Sequence, residues 1–232
     1  MNTADTNTYS LKIKTLLGFV ELIAIIGLFI FAPAGSFNFW QAWVYSIIFF
    51  MSSATITAYL WKRDPELLAR RVEAGPVEEK EKTQKIIQVF ASLLFISILI
   101  VPSLDHRFGW SNVPLYIVII GDILVVLGFF LVFLVFKENT FAAATIEIAT
   151  DQKVITTGPY SMVRHPMYSS ALIMLFGTPL ALGSWWGLLV FIPFTLIIIL
   201  RLLDEEKFLS KNLTGYNEYC QKVRYRLIPF LW

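Results

Sequence analysis

The chain has 232 residues, 56% of them hydrophobic and only 16% charged, with 20 Phe and a mean hydropathy of +0.65. A soluble fold of this size cannot cover so much apolar surface, and a net charge of +2 gives no basis for nucleic-acid binding. The lone cysteine, Cys220, excludes an internal disulfide, and with only His106 and His165 beside it no zinc-type ligand set is spelled, so no metal is expected.

A bilayer core about 30 Å thick needs around 20 apolar residues per helix. The runs that qualify are 15–31, 40–61, 86–101, 113–136, 168–182 and 186–203, too long for barrel strands. The expected fold is all-α: a polytopic bundle of about six spans (five to six). The fifth run is short, and only Gly183, Ser184 and Trp185 separate it from the sixth, which predicts a tight helical hairpin.

Counting Lys and Arg by segment sets the orientation. Lys12 and Lys14, the seven between 62 and 85, the three between 137 and 164 and the six from Arg201 onward all fall on one side. Arg107 alone falls on the other, so eighteen of nineteen positive charges mark the cytoplasmic face and both termini lie there. Lys12, Lys14, the apolar run and Ala32-Pro33-Ala34 imitate a cleavable signal. The length of that run and Glu21 within it favour a retained span.

Between the second and third spans, Asp64-Pro65-Glu66-Leu67-Leu68-Ala69-Arg70-Arg71 reads as a capped helix, with Asp64 as N-cap and Pro65 in the first turn. The mixed-charge stretch 73–85 reads as a solvated surface. Glu21 and Asp122 lie inside spans; hydrogen bonding to a neighbouring helix is favoured for them over a proton or substrate path. No repeat or linker divides the chain. It is read as one integral membrane domain over 1–232, with N-terminal helices in 1–139 and the functional part in 140–232.

The densest signal is Thr157-Gly158-Pro159-Tyr160-Ser161-Met162-Val163-Arg164-His165-Pro166-Met167-Tyr168. Gly158-Pro159 is a turn, Pro166 suits a first helical turn, and His165 falls at its N-cap. Arg164, His165 and the free N–H groups of a helix start favour an anion, and the tyrosines offer flat faces for a purine. An interfacial anchor of Arg and Tyr is the competing reading. A second cluster, Arg201-Leu202-Leu203-Asp204-Glu205-Glu206, ends the last span. Arg201 and Glu205 share a helix face, which is either an ordinary ion pair or part of a site. The hairpin returns this cluster to the depth of His165 and Tyr168, so the two meet at one cytoplasmic mouth. The tail 215–226 alternates aromatic and basic residues, as an interfacial anchor or a lid would.

These elements, Gly158-Pro159-Tyr160, then Arg164-His165-Pro166-Met167-Tyr168, the hairpin, Arg201 with Glu205-Glu206, and Tyr216-Asn217-Glu218-Tyr219 before Val223 and Pro229, resemble the isoprenylcysteine carboxyl methyltransferase family, within the wider group of phospholipid methyltransferases. The resemblance covers the last 95 residues or so, with Ser170 where the family usually has Gly. It implies an integral membrane methyltransferase that uses S-adenosyl-L-methionine without a Rossmann domain. It further implies that Gln152, Lys153, Val154, Ile155, Tyr160, His165, Pro166, Met167, Tyr168 and Glu205 border the cofactor. Arg201 would meet the acceptor, and Arg201 and Glu205 would be the catalytic pair. The implied partner is a lipophilic or lipid acceptor, carboxylate or amine, reached from a bilayer, with a bacterial inner membrane expected. A membrane sterol or enone reductase using NADPH, with a comparable C-terminal helix and tail, is the nearest alternative. A non-enzymatic transport or lipid-binding protein is the second.

Overall fold

A computed structural model of the chain describes residues 3–72, 77, 79, 81–142, 144, 145 and 152–232, the side chains of 3–9 excepted. Among these residues all regular structure is helical: α1 (Thr3–Ala34), α2 (Trp40–Arg63), α3 (Pro65–Val72), α4 (Lys82–Phe108), α5 (Leu115–Glu138), a 3-10 turn (Gly158–Ser161), α6 (Pro166–Ala181), α7 (Gly187–Asn212) and α8 (Tyr216–Lys222). Five are long and apolar enough to cross a membrane: Ser10–Ala34 within α1, and α2, α4, α5 and α7. Leu16, Leu17, Ile23, Ile119, Ile123, Leu189, Ile192 and Leu196 point outward along them, as lipid-facing residues do.

The fifth expected span, α6, has 16 residues and reaches about 24 Å at 1.5 Å per residue, short of the bilayer core. It is sheltered rather than lipid-bathed, because it packs on α5 more extensively than any other helix pair does. Glycines make that closeness possible. A Cβ on Gly121 would lie 2.2 Å from the Ala181 backbone nitrogen, and one on Gly128 would lie 2.6 Å from Met174 Cβ. Small residues at such crossings let helix backbones touch where no hydrophobic force drives association. The register, seven residues apart on both helices, puts the start of α6 level with the C-terminal end of α5. The deficit in length therefore falls at the other end, where α6 turns into α7.

There the connection 182–186 is pinned by a buried carboxylate. Asp105, 1% exposed, accepts from Ser111 N at 2.7 Å, Ser111 Oγ at 2.6 Å and Ser184 Oγ at 2.5 Å. His106, beside it, stacks on Phe39 with ring centroids 3.9 Å apart, so the two histidines sit at opposite ends of the bundle. The main core joins α1, α2, α4, α5, α6 and α7 around Ile26, Ile30, Tyr45, Phe49, Leu99, Val125, Leu175 and Phe194. A smaller cluster of Ile56, Leu60, Leu67, Leu68 and Phe136 seats α3 under α2 and α5. As expected, α3 is capped by Asp64, whose Oδ1 accepts from Leu67 N at 2.9 Å.

Two sequence expectations are corrected. Asp122 is half-buried, but its Oδ1 has no hydrogen-bond partner, so it is not joined to a neighbouring helix through that atom; Glu21 lies on the exposed face of α1. The stretch 73–85 is not a uniformly solvated surface. Residues 73–76, 78 and 80 lie outside the described set, but Glu79 is 2% exposed and Gln84 is 1% exposed, its Nε2 donating to Asp204 Oδ2 of α7. The reason is pairing: each finds a polar partner across the bundle, Arg201 for Glu79 and Asp204 for the Gln84 amide nitrogen, while Gln84 Oε1 is left without a hydrogen-bond partner.

Candidate active site

The end of the bundle where α6 begins and α7 runs out encloses a cavity of about 480 Å³ between α4, α5, α6 and α7. Its polar rim is built from four pieces of chain that are distant in sequence. The start of α6 supplies His165, Pro166, Met167 and Tyr168; the end of α7 supplies Arg201 and Glu205; the 3-10 turn supplies Tyr160; and Gln152, Lys153, Val154 and Ile155 form a further edge. Thus the residues that the resemblance gives to the cofactor and the acceptor all line one cavity, whereas Glu206 does not. The floor is apolar, formed by Phe95, Phe129, Val132, Met174, Leu175, Phe194 and Ile198. Phe194 lies seven residues before Arg201, so the apolar part descends about 10 Å along α7 below the polar rim.

The local sequence explains the arrangement. Pro166 begins α6 with its fixed φ and lost N–H, leaving His165 at the N-cap. The His165 side chain makes no cap bond; it turns instead to α7, with Nε2 3.3 Å from Glu206 Oε1. Glu206 gathers three basic groups, the others being Arg164 Nε at 3.1 Å and Arg226 Nε at 2.9 Å. The anion that the Arg-His helix start attracts is therefore the chain's own carboxylate. The tail closes the same node. Arg164 N donates to Tyr225 O at 2.9 Å and His165 N to Arg226 O at 3.0 Å, while Ser169 Oγ donates to Leu227 O at 2.6 Å. Ser170, where the resembling family has Gly, is buried and turns its hydroxyl back to Pro166 O at 2.7 Å, so it fits without an unmet donor.

Arg201 and Glu205 do not form the direct intrahelical pair that their spacing allows; a tyrosine stands between them. Tyr168 Oη donates to Glu205 Oε2 at 2.6 Å and accepts from Arg201 Nε at 3.1 Å. Arg201's ionic partner is instead Glu79, with Nη2 2.6 Å from Oε1. Nη1 donates to Gln88 Oε1 at 2.7 Å and Nη2 also to Ala144 O at 3.0 Å. With both partners almost fully buried, such a pair holds position more than it adds stability.

The aromatic wall is also fixed. Asn139 Nδ2 donates to Tyr160 Oη at 2.8 Å, and Tyr219 Oη donates to the Tyr160 carbonyl at 2.7 Å. Burial pushes the Tyr160 hydroxyl up to about 12, the Asn139 bond opposing it, and burial raises Tyr216 and Tyr219 as well. Arg71, at the end of α3, joins the lining with its guanidinium 5.0 Å from the Phe136 ring centre, and burial brings it down to about 10. Thr157 Oγ1 donates to Glu138, tying the 3-10 turn to the end of α5.

Sequence reasoning missed Glu79, Gln88, Asn139 and Arg71. Arg71 carried a signal, an arginine in the last turn of a capped helix, but an arginine there also complements the helix dipole, which hides a second role. Glu79 carried none, standing among alternating charges 122 residues from its partner. Tyr216 and Tyr219 of α8 line the cavity, which places that part of the tail against the site as a cover. Among the described residues no group of three or more His, Cys, Asp or Glu side chains could hold a metal ion.

Comparison with known proteins agrees with this geometry. The family model for phospholipid methyltransferases matches residues 116–214, from α5 to the end of α7. The "Probable protein-S-isoprenylcysteine O-methyltransferase" of Oryza sativa subsp. indica and that of subsp. japonica are each 32% identical over 139 residues, covering 57% of this chain and 68% of theirs. "Delta(14)-sterol reductase TM7SF2" of Mus musculus is 36% identical over 91 residues, 38% of this chain, and the chain spans only 22% of that protein's length. The match to the rice proteins extends over most of their length and takes in half of this chain, whereas the reductase match is confined to one segment. The chain belongs to the isoprenylcysteine carboxyl methyltransferase family, among the integral membrane methyltransferases.

Proposed function

We propose that the chain transfers a methyl group from S-adenosyl-L-methionine to a lipophilic acceptor at the cytoplasmic face of a membrane, the bacterial inner membrane being the compartment proposed. The observation that carries this reading is one cavity with two characters. Its rim holds tyrosines, a histidine and a carboxylate; its floor is lined by hydrocarbon side chains that reach about 10 Å below Arg201 along α7. Residues 140–232 are proposed as the cofactor-binding part of a single domain, with the acceptor entering from the lipid between helices.

The donor set suits the cofactor. A volume of about 480 Å³ falls within the range of small-molecule sites. Tyr160 and Tyr168 offer faces to an adenine, and an electron-rich ring face also attracts a cation. Glu205 can accept from a ribose hydroxyl or an amino group, beside the edge formed by Gln152, Lys153, Val154 and Ile155. When bound, the cofactor supplies an electrophilic methyl on a sulfonium. The protein's task is alignment: holding two reactants in line can contribute up to about 7–11 kcal/mol without a covalent intermediate. Tyr168, bonded to both Glu205 and Arg201, fixes the cofactor side and the acceptor side in one unit. The Glu206 node holds His165 in place. The buried apolar floor excludes water, which keeps the methyl donor from hydrolysis. A carboxylate acceptor needs no base; an amine acceptor releases a proton, for which Glu205 and bulk water are the available sinks.

The segment shared with the mouse sterol reductase supports a second reading, an enzyme that uses NADPH at the same rim. Equilibrium binding of labelled S-adenosylmethionine and of NADPH to the purified chain separates the two. The methyltransferase reading expects saturable binding of the sulfonium, weakened about 10- to 100-fold by Glu205→Gln through loss of a charged hydrogen-bond acceptor. Saturable NADPH binding with none of the sulfonium would reverse the assignment.

A further inference from the structure

We propose that Glu79 is a specificity-determining residue, withdrawing Arg201 from carboxylate binding and tilting the acceptor end of the cavity toward amine and neutral polar head groups. This rests on the methyltransferase reading above and narrows its acceptor.

A guanidinium holds a carboxylate by a fork of two adjacent N–H groups, either both terminal nitrogens or Nε with its neighbour. Arg201 has five N–H groups, and four are accounted for. Nε goes to Tyr168, one Nη1 hydrogen to Gln88, and both Nη2 hydrogens to Glu79 and the Ala144 carbonyl. Only one Nη1 hydrogen remains, and no adjacent pair does. A single N–H can meet a carbonyl, hydroxyl or amine nitrogen, but it cannot make the two-pronged contact on which carboxylate recognition depends.

The charge balance points the same way. Glu79 does not line the cavity; it backs Arg201 from the far side, 2% exposed, and neutralises it before any ligand arrives. A carboxylate seeking that fork would have to displace a buried carboxylate already in place.

The test uses the full chain in lipid nanodiscs and two radiolabelled probes of equal chain length, dodecanoate and dodecylamine, with binding corrected for empty nanodiscs. Glu79→Gln keeps the shape and removes the charge, so dodecanoate is expected to bind about tenfold tighter than to the parent chain, the scale of one charged hydrogen bond. Dodecylamine should not follow. Gln88→Glu, with Glu79 intact, places a second carboxylate on the same guanidinium and should lower the dodecanoate-to-dodecylamine affinity ratio; it decides the matter should Glu79→Gln fail to fold. An unchanged ratio in the folded variants overturns the proposal. So does the absence of probe binding while labelled S-adenosylmethionine binds, a result that leaves the methyltransferase reading standing. Loss of S-adenosylmethionine binding by the parent chain instead removes that reading, and this proposal with it.

Discussion

Replacing Glu206 by Gln tests whether the tail and the site are one unit. The Glu206 carboxylate is 13% exposed and serves Arg164, His165 and Arg226, whose side chains are 9%, 5% and 31% exposed. Hydrogen bonds to charged groups contribute about 1.5–3 kcal/mol each, and the solvent-screened Arg226 contact falls at or below the bottom of that range. Contacts sharing one carboxylate are not additive, so the expected loss is about 3 kcal/mol in local stability. Two backbone hydrogen bonds report on it: Arg164 N to Tyr225 O and His165 N to Arg226 O. With 1.4 kcal/mol per factor of ten, hydrogen exchange at the 164 and 165 amides should quicken about 100-fold. The α5–α6 contact lies outside this node, so amides in the middle of α6 should exchange as before. Unchanged protection at 164 and 165 would refute the claim that this carboxylate holds the tail to the helix start.

Three further outcomes follow from the geometry. Gly121→Ala drives a methyl into the Ala181 backbone and should cost about 1–3 kcal/mol in thermal or denaturant unfolding, whereas Gly18→Ala, with no neighbour within 4 Å, should be neutral or slightly stabilising; equal effects would mean the α5–α6 crossing is looser than described. Tyr168→Phe removes the hydroxyl joining Glu205 to Arg201, and methyl transfer should fall roughly 10- to 100-fold with the fold retained, measured as turnover beside a circular dichroism melt; full activity would remove Tyr168 from the machinery. Because burial raises Tyr160 to about 12 from an ordinary value near 10, the folded chain keeps it neutral where the unfolded chain ionises it. Its contribution, about 2 kcal/mol, is complete below pH 10 and lost as pH climbs toward 12, so the melting temperature should drop across that window and drop less in Tyr160→Phe.

The membrane architecture was legible because its causes are local. Apolar runs of fixed length need no tertiary information. The convergence of the site was legible for a topological reason: a turn as short as 182–186 returns α7 beside α6, so His165 and Glu206 had to end at one depth. The length of α6 was less readable. Sixteen residues suffice there because Gly121 and Gly128 of another helix bring α5 against it, a relation that no single segment displays. Glu79 was illegible for the same reason in sharper form. A buried acid is recognised by its partner, and Arg201 is 122 residues away with no periodicity to link them. Glu205 and Glu206 stood side by side in one motif; in the folded chain Glu206 is a structural anion held by Arg164, His165 and Arg226, and Glu205 is the acid that lines the cavity.

The most direct test of the account is transfer itself. The chain, reconstituted in nanodiscs with a lipid extract and S-adenosylmethionine labelled in its methyl group, should move label into the organic phase, and Glu205→Gln should abolish that transfer while keeping its helical spectrum. Label absent from the organic phase at saturating cofactor, or equal incorporation by the Glu205→Gln chain, would contradict the central claim that this cavity aligns a methyl donor with a lipid acceptor.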